Sequence, residues 1–206
     1  MEENREFKMI NSIRKILAVG ASLAALVSGA QAADPESCKA VRFADVGWTE
    51  IQVISEIASN MFNSLGYSGE VKTLSVPITF ASLKSKDVDV FFGNWMPSQT
   101  ADIQAYLDDK SIEQLAVNLE GAGYGIVVPQ YVADSGVKTL ADLAANKDKF
   151  AGKMFGIESG NDGNRIMQGF IDDAKNNLGG WTVVESSEAG MLTEAEKAIK
   201  NNEWIV

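Results

Sequence analysis

The chain has 206 residues, a formal net charge of −10, one cysteine and no histidine. An acidic chain without a basic stripe will not follow a phosphate backbone, so its composition excludes nucleic-acid binding. The lack of histidine removes a histidine base, Ser-His catalysis and imidazole metal ligation. We therefore predict neither a catalytic site nor a bound cofactor or metal.

The amino-terminal region has the three parts of an export signal. Residues 16–27 are almost wholly apolar, Arg14 and Lys15 precede them, and Ala30-Gln31-Ala32 follows as a small-x-small cleavage site. The apolar run is too short to span a bilayer comfortably, which disfavours the alternative of a membrane anchor. We predict a cleavable signal peptide at residues 1–32.

Strand and helix patterns alternate along the rest of the chain, which predicts a mostly parallel sheet with helices on its faces, an α/β fold. Glycines near residues 117–123 indicate a crossing between a first lobe at 33–118 and a second at 119–206. The predicted strands and extended segments are 41–43, 71–75, 88–92, 114–118, 125–128, 154–157, 181–185 and one opening at Trp204. The predicted helices are 50–65, 78–86, pieces of 140–150, 162–176 and 188–200.

Three aromatic residues stand at positions that suit a cleft. Trp48 and Trp95 each follow a short apolar run, where a strand opens into a loop, and Tyr124 lies between two glycines. Packing in a core is the default role of a tryptophan, and we assign it to Trp181 and, less clearly, to Trp204. A cleft walled by ring faces suits a quaternary ammonium, because those faces are negative and the cation needs no hydrogen-bond partner.

Two polar positions accompany these rings. Glu50 lies two residues after Trp48, where it either reaches the same cleft or favours the dipole of the helix that Thr49 would cap. Asn161 belongs to a turn between a predicted strand and a predicted helix. It either caps the helix or bonds a ligand, because ligands settle at the carboxyl ends of parallel strands.

Cys38 is the only cysteine, and the chain stops at residues 203–206 within what looks like a strand. One interpretation explains both features: the sequence is truncated at its carboxyl end, and the missing tail carried a second cysteine. The alternative is a buried free thiol and a natural terminus.

Three segments carry a resemblance to a known family. Residues 43–50 (FADVGWTE), 93–97 (GNWMP) and 156–165 (GIESGNDGNR) closely resemble those of periplasmic choline-binding proteins, members of the glycine betaine/choline substrate-binding family of ABC importers. The similarity runs from the signal peptide to Val206. It implies a two-lobed periplasmic binding protein fold of type II, which closes on its ligand without catalysis, with the second lobe and the return to the first incomplete.

The resemblance also implies a ligand and a set of roles. Trp48, Trp95 and Tyr124 would form walls of an aromatic cage around the trimethylammonium of choline. Glu50 would contact the cation where the family usually has an aspartate, and Asn161 would bind the choline hydroxyl. A fourth tryptophan wall and the cysteine partner of Cys38 would lie beyond the end of this chain.

The same resemblance implies a monomer in the periplasm that delivers choline to a membrane permease. The sequence leaves two alternative functions open. One is a binder of glycine betaine or another quaternary ammonium such as carnitine. The other, more remote, is an exported hydrolase that uses carboxylates.

Overall fold

The computed structural model describes residues 34–206, so the predicted signal peptide at residues 1–32 lies outside the described residues. Residues 39–206 form one compact unit. Within residues 34–206, no helix combines the length and apolar character needed to cross a membrane. Cys38 is exposed, so the alternative of a buried thiol is wrong.

The first sheet has three parallel strands in the order β2-β1-β3, with Phe43 opposite both Val71 and Val90. The strands are β1 (Ala40–Asp45), β2 (Ser68–Thr73) and β3 (Val90–Phe91), and the helices are α1 (Thr49–Ser64), α2 (Val76–Ser85) and α3 (Thr100–Asp108). Parallel strands need a crossover, and α1 and α2 supply the two crossovers here.

The second sheet has two parallel strands, and the backbone N–H of Phe155 donates to the carbonyl of Val206 at 2.8 Å beside it. The strands are β4 (Lys153–Phe155) and β5 (Thr182–Val184), and the helices are α4 (Gln130–Asp134), α5 (Leu140–Ala145), α6 (Asp162–Asp172) and α7 (Glu188–Lys200). Short 3₁₀ helices cover Glu36–Cys38, Lys147–Phe150 and Ala174–Asn176.

The alternation of strands and helices and the parallel sheets confirm the predicted α/β fold. Several local predictions were wrong. Thr49 is the first residue of α1 rather than its cap, because Trp48 occupies the N-cap position. Residues 114–118, residues 125–128 and the final segment from Trp204 belong to no strand, and the helices Thr100–Asp108 and Gln130–Asp134 were not predicted.

Two clusters of buried apolar residues hold these elements together. One contains Val46, Trp48, Ile51, Val76, Phe80 and Ile103. The other contains Val132, Val137, Leu143, Phe150, Met154, Leu178 and Trp181. Trp181 therefore packs in a core, as predicted, and the ring of Trp204 lies edge-on to Phe150 with centroids 5.2 Å apart. Fully burying one large side chain such as Phe80 contributes about 1.5–3 kcal/mol.

Helix α1 lies very close to the first sheet, which fixes the position of Trp48 at its amino end. Its inner face carries serines, and the Ser55 hydroxyl donates to the carbonyl of Ala44 at 3.4 Å. A Cβ at Gly69 would lie 2.6 Å from the carbonyl oxygen of Ser59, so only glycine permits this approach. The apolar stripe of the helix faces outward instead, with Ile57 56% and Met61 61% exposed.

Candidate functional site

A cavity of about 1150 Å³ lies at the carboxyl ends of the strands. Residues that follow four of the five strands line it: Trp48 after β1, Trp95 after β3, Ile157 after β4 and Glu188 after β5. The carboxyl ends of parallel strands are where ligands bind in open α/β sheets, because the loops there are free to vary. The cavity is thus the natural ligand position of this fold.

Trp48 is held at the rim of the cavity by a turn built on Asp45. The buried carboxylate of Asp45 accepts hydrogen bonds from the Gly47 N–H at 2.9 Å and from the Thr73 hydroxyl at 3.2 Å. Gly47 has a φ of 84°, a conformation that favours glycine. The indole is only 5% exposed, so Trp48 both lines the cavity and packs in the first apolar cluster.

The indole N–H of Trp48 donates to a carboxylate that lies 110 residues further along the chain. Its Nε1 is 3.2 Å from Oε1 and 3.1 Å from Oε2 of Glu158. Glu158 follows β4, so this hydrogen bond joins the loop after the first sheet to the loop after the second. The sequence motif at 156–165 contains Glu158, but its role was not predicted.

Trp95 and Tyr124 lie side by side on the cavity wall, with ring centroids 5.9 Å apart and planes inclined at 42°. The backbone N–H of Trp95 donates to Oε1 of the buried Gln99 at 3.2 Å. The amide of Gln99 in turn donates to Oδ1 of Asp162 at 3.2 Å. A side-chain bridge therefore connects the Trp95 loop to the first residue of α6.

Tyr124 is 55% exposed, and its hydroxyl reaches the amino end of α6. Its oxygen lies 3.4 Å from Oδ1 of Asn161. A Cβ at Gly163 would lie 2.0 Å from the same oxygen, so the absence of a side chain at Gly163 makes room for the phenol. Tyr124 is therefore accessible, as predicted, and its hydroxyl packs against Gly163 of α6.

Burial raises the pKa of Tyr124 to about 12, with smaller contributions from the negative charges of Asp162 and Glu158 and an opposing one from Arg165. The phenol therefore keeps its hydrogen-bond donor over a wider alkaline range than a free tyrosine does. The carboxylates also make the surroundings of the ring negative, which favours a cationic ligand.

The raised pKa of Tyr124 predicts a separate ionisation in an alkaline titration. A phenolate absorbance transition near pH 12 is expected in the folded protein, and Tyr124→Phe should remove it. Because the folded pKa exceeds the usual value of about 10, the stability that Tyr124 contributes is complete below pH 10 and is lost between pH 10 and 12. An alkaline titration curve that Tyr124→Phe leaves unchanged would contradict this assignment.

Asn161 is 1% exposed and is not among the residues that line the cavity. Its Oδ1 accepts from the N–H of Gly163 at 2.7 Å, which makes it the N-cap of α6. Its Nδ2 donates to Oε1 of Glu158 at 2.9 Å. The capping alternative drawn from the sequence is therefore realised, and the contact of Asn161 with a ligand hydroxyl stays a prediction.

Acidic side chains complete the polar part of the cavity. Glu50, in the first turn of α1, is exposed and lines the cavity. Glu188 also lines it and accepts from the Thr49 hydroxyl at 2.7 Å. Asp162 is 2% exposed, and its Oδ2 has no hydrogen-bond partner within residues 34–206. Three lining residues are thus acidic, and none of the described lining residues is basic.

Most of the remaining cavity wall is apolar and comes largely from the second sheet and its helices: Phe155, Met167, Phe170, Leu192, Ile199 and Val206. In the part of the chain that the structure describes, no group of three or more histidine, cysteine or acidic residues is arranged to hold a metal ion. The cavity therefore combines aromatic rings, apolar surface and negative charge.

The fold and this cavity are those of a substrate-binding protein with the type II periplasmic binding protein fold. Residues 39–206 match the family described as the substrate binding domain of ABC-type glycine betaine transport systems, and the chain belongs to that family. Its members bind substrates for transporters and are not enzymes, so the remote alternative of a hydrolase is wrong.

Solved structures of related proteins share the fold. An ABC-transporter choline-binding protein in complex with choline is 48% identical, with a TM-score of 0.80 over 84% of this chain. Lactococcal OpuAC, in its closed conformation with glycine betaine, is 26% identical, with a TM-score of 0.67 over 81% of this chain. This chain spans 60% of the first protein and 63% of the second.

A relative of shorter length also matches. The uncharacterized protein ORF1 of Chromohalobacter salexigens is 49% identical over 129 residues, which are 63% of this chain and 83% of that protein. The predicted family and fold are confirmed by these matches, whereas the roles of individual site residues stay predictions.

Proposed function

We propose that the protein is the substrate-binding component of an ABC importer and that its ligand is choline. The observation that carries the proposal is the cavity itself, which three aromatic side chains, Trp48, Trp95 and Tyr124, line together with acidic groups. Ring faces attract a methylated ammonium by about 0.5–2 kcal/mol each, depending on how far the contact is desolvated. A 48% identical protein has been solved with choline bound, which supports the same ligand here.

The charges in the cavity favour choline over glycine betaine. A betaine carries a carboxylate that needs a positive or hydrogen-bonding partner, and burying it beside other carboxylates is costly. The described lining residues include Glu50, Asp162 and Glu188 and no lysine or arginine. Arg165, whose charge acts on Tyr124, is already paired with Asp102 and with the carbonyl of Gly160.

In the proposed mechanism the two sheets belong to two lobes, at residues 33–118 and 119–206, which close on the ligand. Trp48 and Trp95 approach the trimethylammonium from the first lobe, and Tyr124 approaches it from the second. Glu50 supplies negative charge, and Asn161 receives the choline hydroxyl. The loaded protein, a monomer in the periplasm, would then deliver choline to a membrane permease.

Glycine betaine is the second candidate, because the lactococcal relative was solved with that ligand. Isothermal titration of the 206-residue protein with choline and with glycine betaine separates the two. We expect choline to bind more tightly, with micromolar affinity, or about −8 kcal/mol. Equal affinities or a preference for betaine would refute choline as the ligand, and absence of binding to either would refute the proposed function.

A further inference from the structure

Glu158 does not itself line the cavity, but it bonds two of the proposed site residues, Trp48 and Asn161, and the proposed function gives it no role. It accepts hydrogen bonds on both oxygens: the indole N–H of Trp48 lies 3.2 and 3.1 Å from them, and the amide of Asn161 lies 2.9 Å from Oε1. A carboxylate suits this arrangement because both of its oxygens are acceptors. A glutamine at this position would turn an NH₂ group toward one of the two donors.

The hydrogen bond from Trp48 to Glu158 joins the loop after the first sheet to the loop after the second. Trp48 follows β1 of the first sheet, and Glu158 follows β4 of the second. Further side-chain pairs join the same two parts of the chain: Thr49 with Glu188, Gln99 with Asp162, and Asp102 with Arg165. Among these pairs, the one between Trp48 and Glu158 has a proposed cage wall as its donor, so it sets the orientation of a ring that would touch the ligand.

We propose that Glu158 is a positioning and specificity-determining residue, which orients the indole of Trp48 toward the ligand and makes the cage prefer a cation without a carboxylate. This inference rests on the proposed function. A carboxylate that accepts from the indole N–H pushes electron density toward the ring, so the face of Trp48 becomes more attractive to a cation. The same charge repels the carboxylate of a betaine.

The electrostatics of the neighbouring ring support this role. Glu158 is one of the charges that raise the pKa of Tyr124, after burial and Asp162, so its negative charge also acts on a second ring of the proposed cage. A residue that only tied two loops together would leave ligand selectivity unchanged when its charge was removed. A change in the selectivity between choline and glycine betaine would therefore distinguish a positioning role of Glu158 from a purely structural one.

Glu158→Gln is the decisive variant, because it keeps the size of the side chain and removes its charge and one acceptor. Choline affinity should fall by roughly ten-fold, the scale of the cation–π contact that Glu158 would strengthen. The affinity for glycine betaine should fall less, so the preference of the protein for choline over glycine betaine becomes smaller. Glu194→Gln is the matched control: it removes the same charge from the exposed part of α7 and should leave both affinities unchanged.

A second readout requires no ligand. The indole N–H resonance of Trp48, assigned by its loss in Trp48→Phe, should shift and exchange faster with solvent in Glu158→Gln. An unchanged resonance, or an equal loss of affinity for choline and betaine, would overturn the inference. If the unaltered protein bound neither ligand, the proposed function would fail, and the resonance would still decide whether Glu158 holds Trp48.

Discussion

Replacing Trp95 with alanine is expected to weaken choline binding by about ten-fold, equivalent to about 1.4 kcal/mol. The half-buried indole of Trp95 lines the cavity and lies next to Tyr124, so its removal takes away one ring face and admits water beside the other. Trp48→Ala should weaken binding at least as much. Trp95 gives the cleaner test, because Trp48 also packs in the first apolar cluster.

The matched control for Trp95→Ala is Trp204→Ala. Trp204 is also half-buried, but it packs against Phe150 and Lys149 and does not line the cavity. The substitution Trp204→Ala should lower the free energy of unfolding and leave choline affinity unchanged. Titration calorimetry and urea unfolding of both variants measure the two quantities. If Trp95→Ala kept full affinity, the ring would have no part in binding.

Replacing Gly163 with alanine is expected to weaken choline binding roughly three- to thirty-fold, the range that one cation–π contact spans. The new Cβ would lie 2.0 Å from the hydroxyl oxygen of Tyr124, so the phenol ring has to move out of its place in the cavity wall. The helix itself should tolerate the change, because alanine is a better helix former than glycine. The expected signature is lost affinity with little change in the free energy of unfolding.

Gly169 lies in the same helix and provides the control for Gly163→Ala. A Cβ at Gly169 would meet no atom within 4 Å. Gly169→Ala should therefore leave choline affinity unchanged and raise the free energy of unfolding by up to about 1 kcal/mol. Equal choline affinities of the two variants would show that Tyr124 does not contribute to the site through its contact with α6.

The positions of the aromatic residues could be predicted because they depend on local pattern. Trp48 and Trp95 each follow a strand, and the carboxyl ends of parallel strands share one edge of a sheet. The partner of the Trp48 indole could not be predicted in the same way. Glu158 lies 110 residues away, and only the packing of the two sheets brings its carboxylate to that N–H.

Helix α1 shows a second limit of sequence patterns. Periodicity correctly predicted a helix at residues 50–65 and an apolar stripe along it. It did not predict that the stripe faces outward. The face of α1 that packs against the sheet carries small side chains, because Ser55 and Ser59 lie against β1 and Gly69 at distances that larger side chains would not allow. The length of the third strand was also predicted wrongly, as residues 88–92 rather than Val90–Phe91. An apolar run does not define how many of its residues pair with a neighbouring strand.

The four tryptophans divide into two pairs with different surroundings. Trp48 and Trp95 face the cavity, whereas Trp181 and Trp204 pack around Phe150 in the second apolar cluster. Intrinsic fluorescence of the unlabelled protein therefore carries two signals. If the proposed site is right, the emission of the first pair would report occupancy of the cavity, and that of the second pair would report whether the surrounding structure is intact, so the protein would contain its own optical reference.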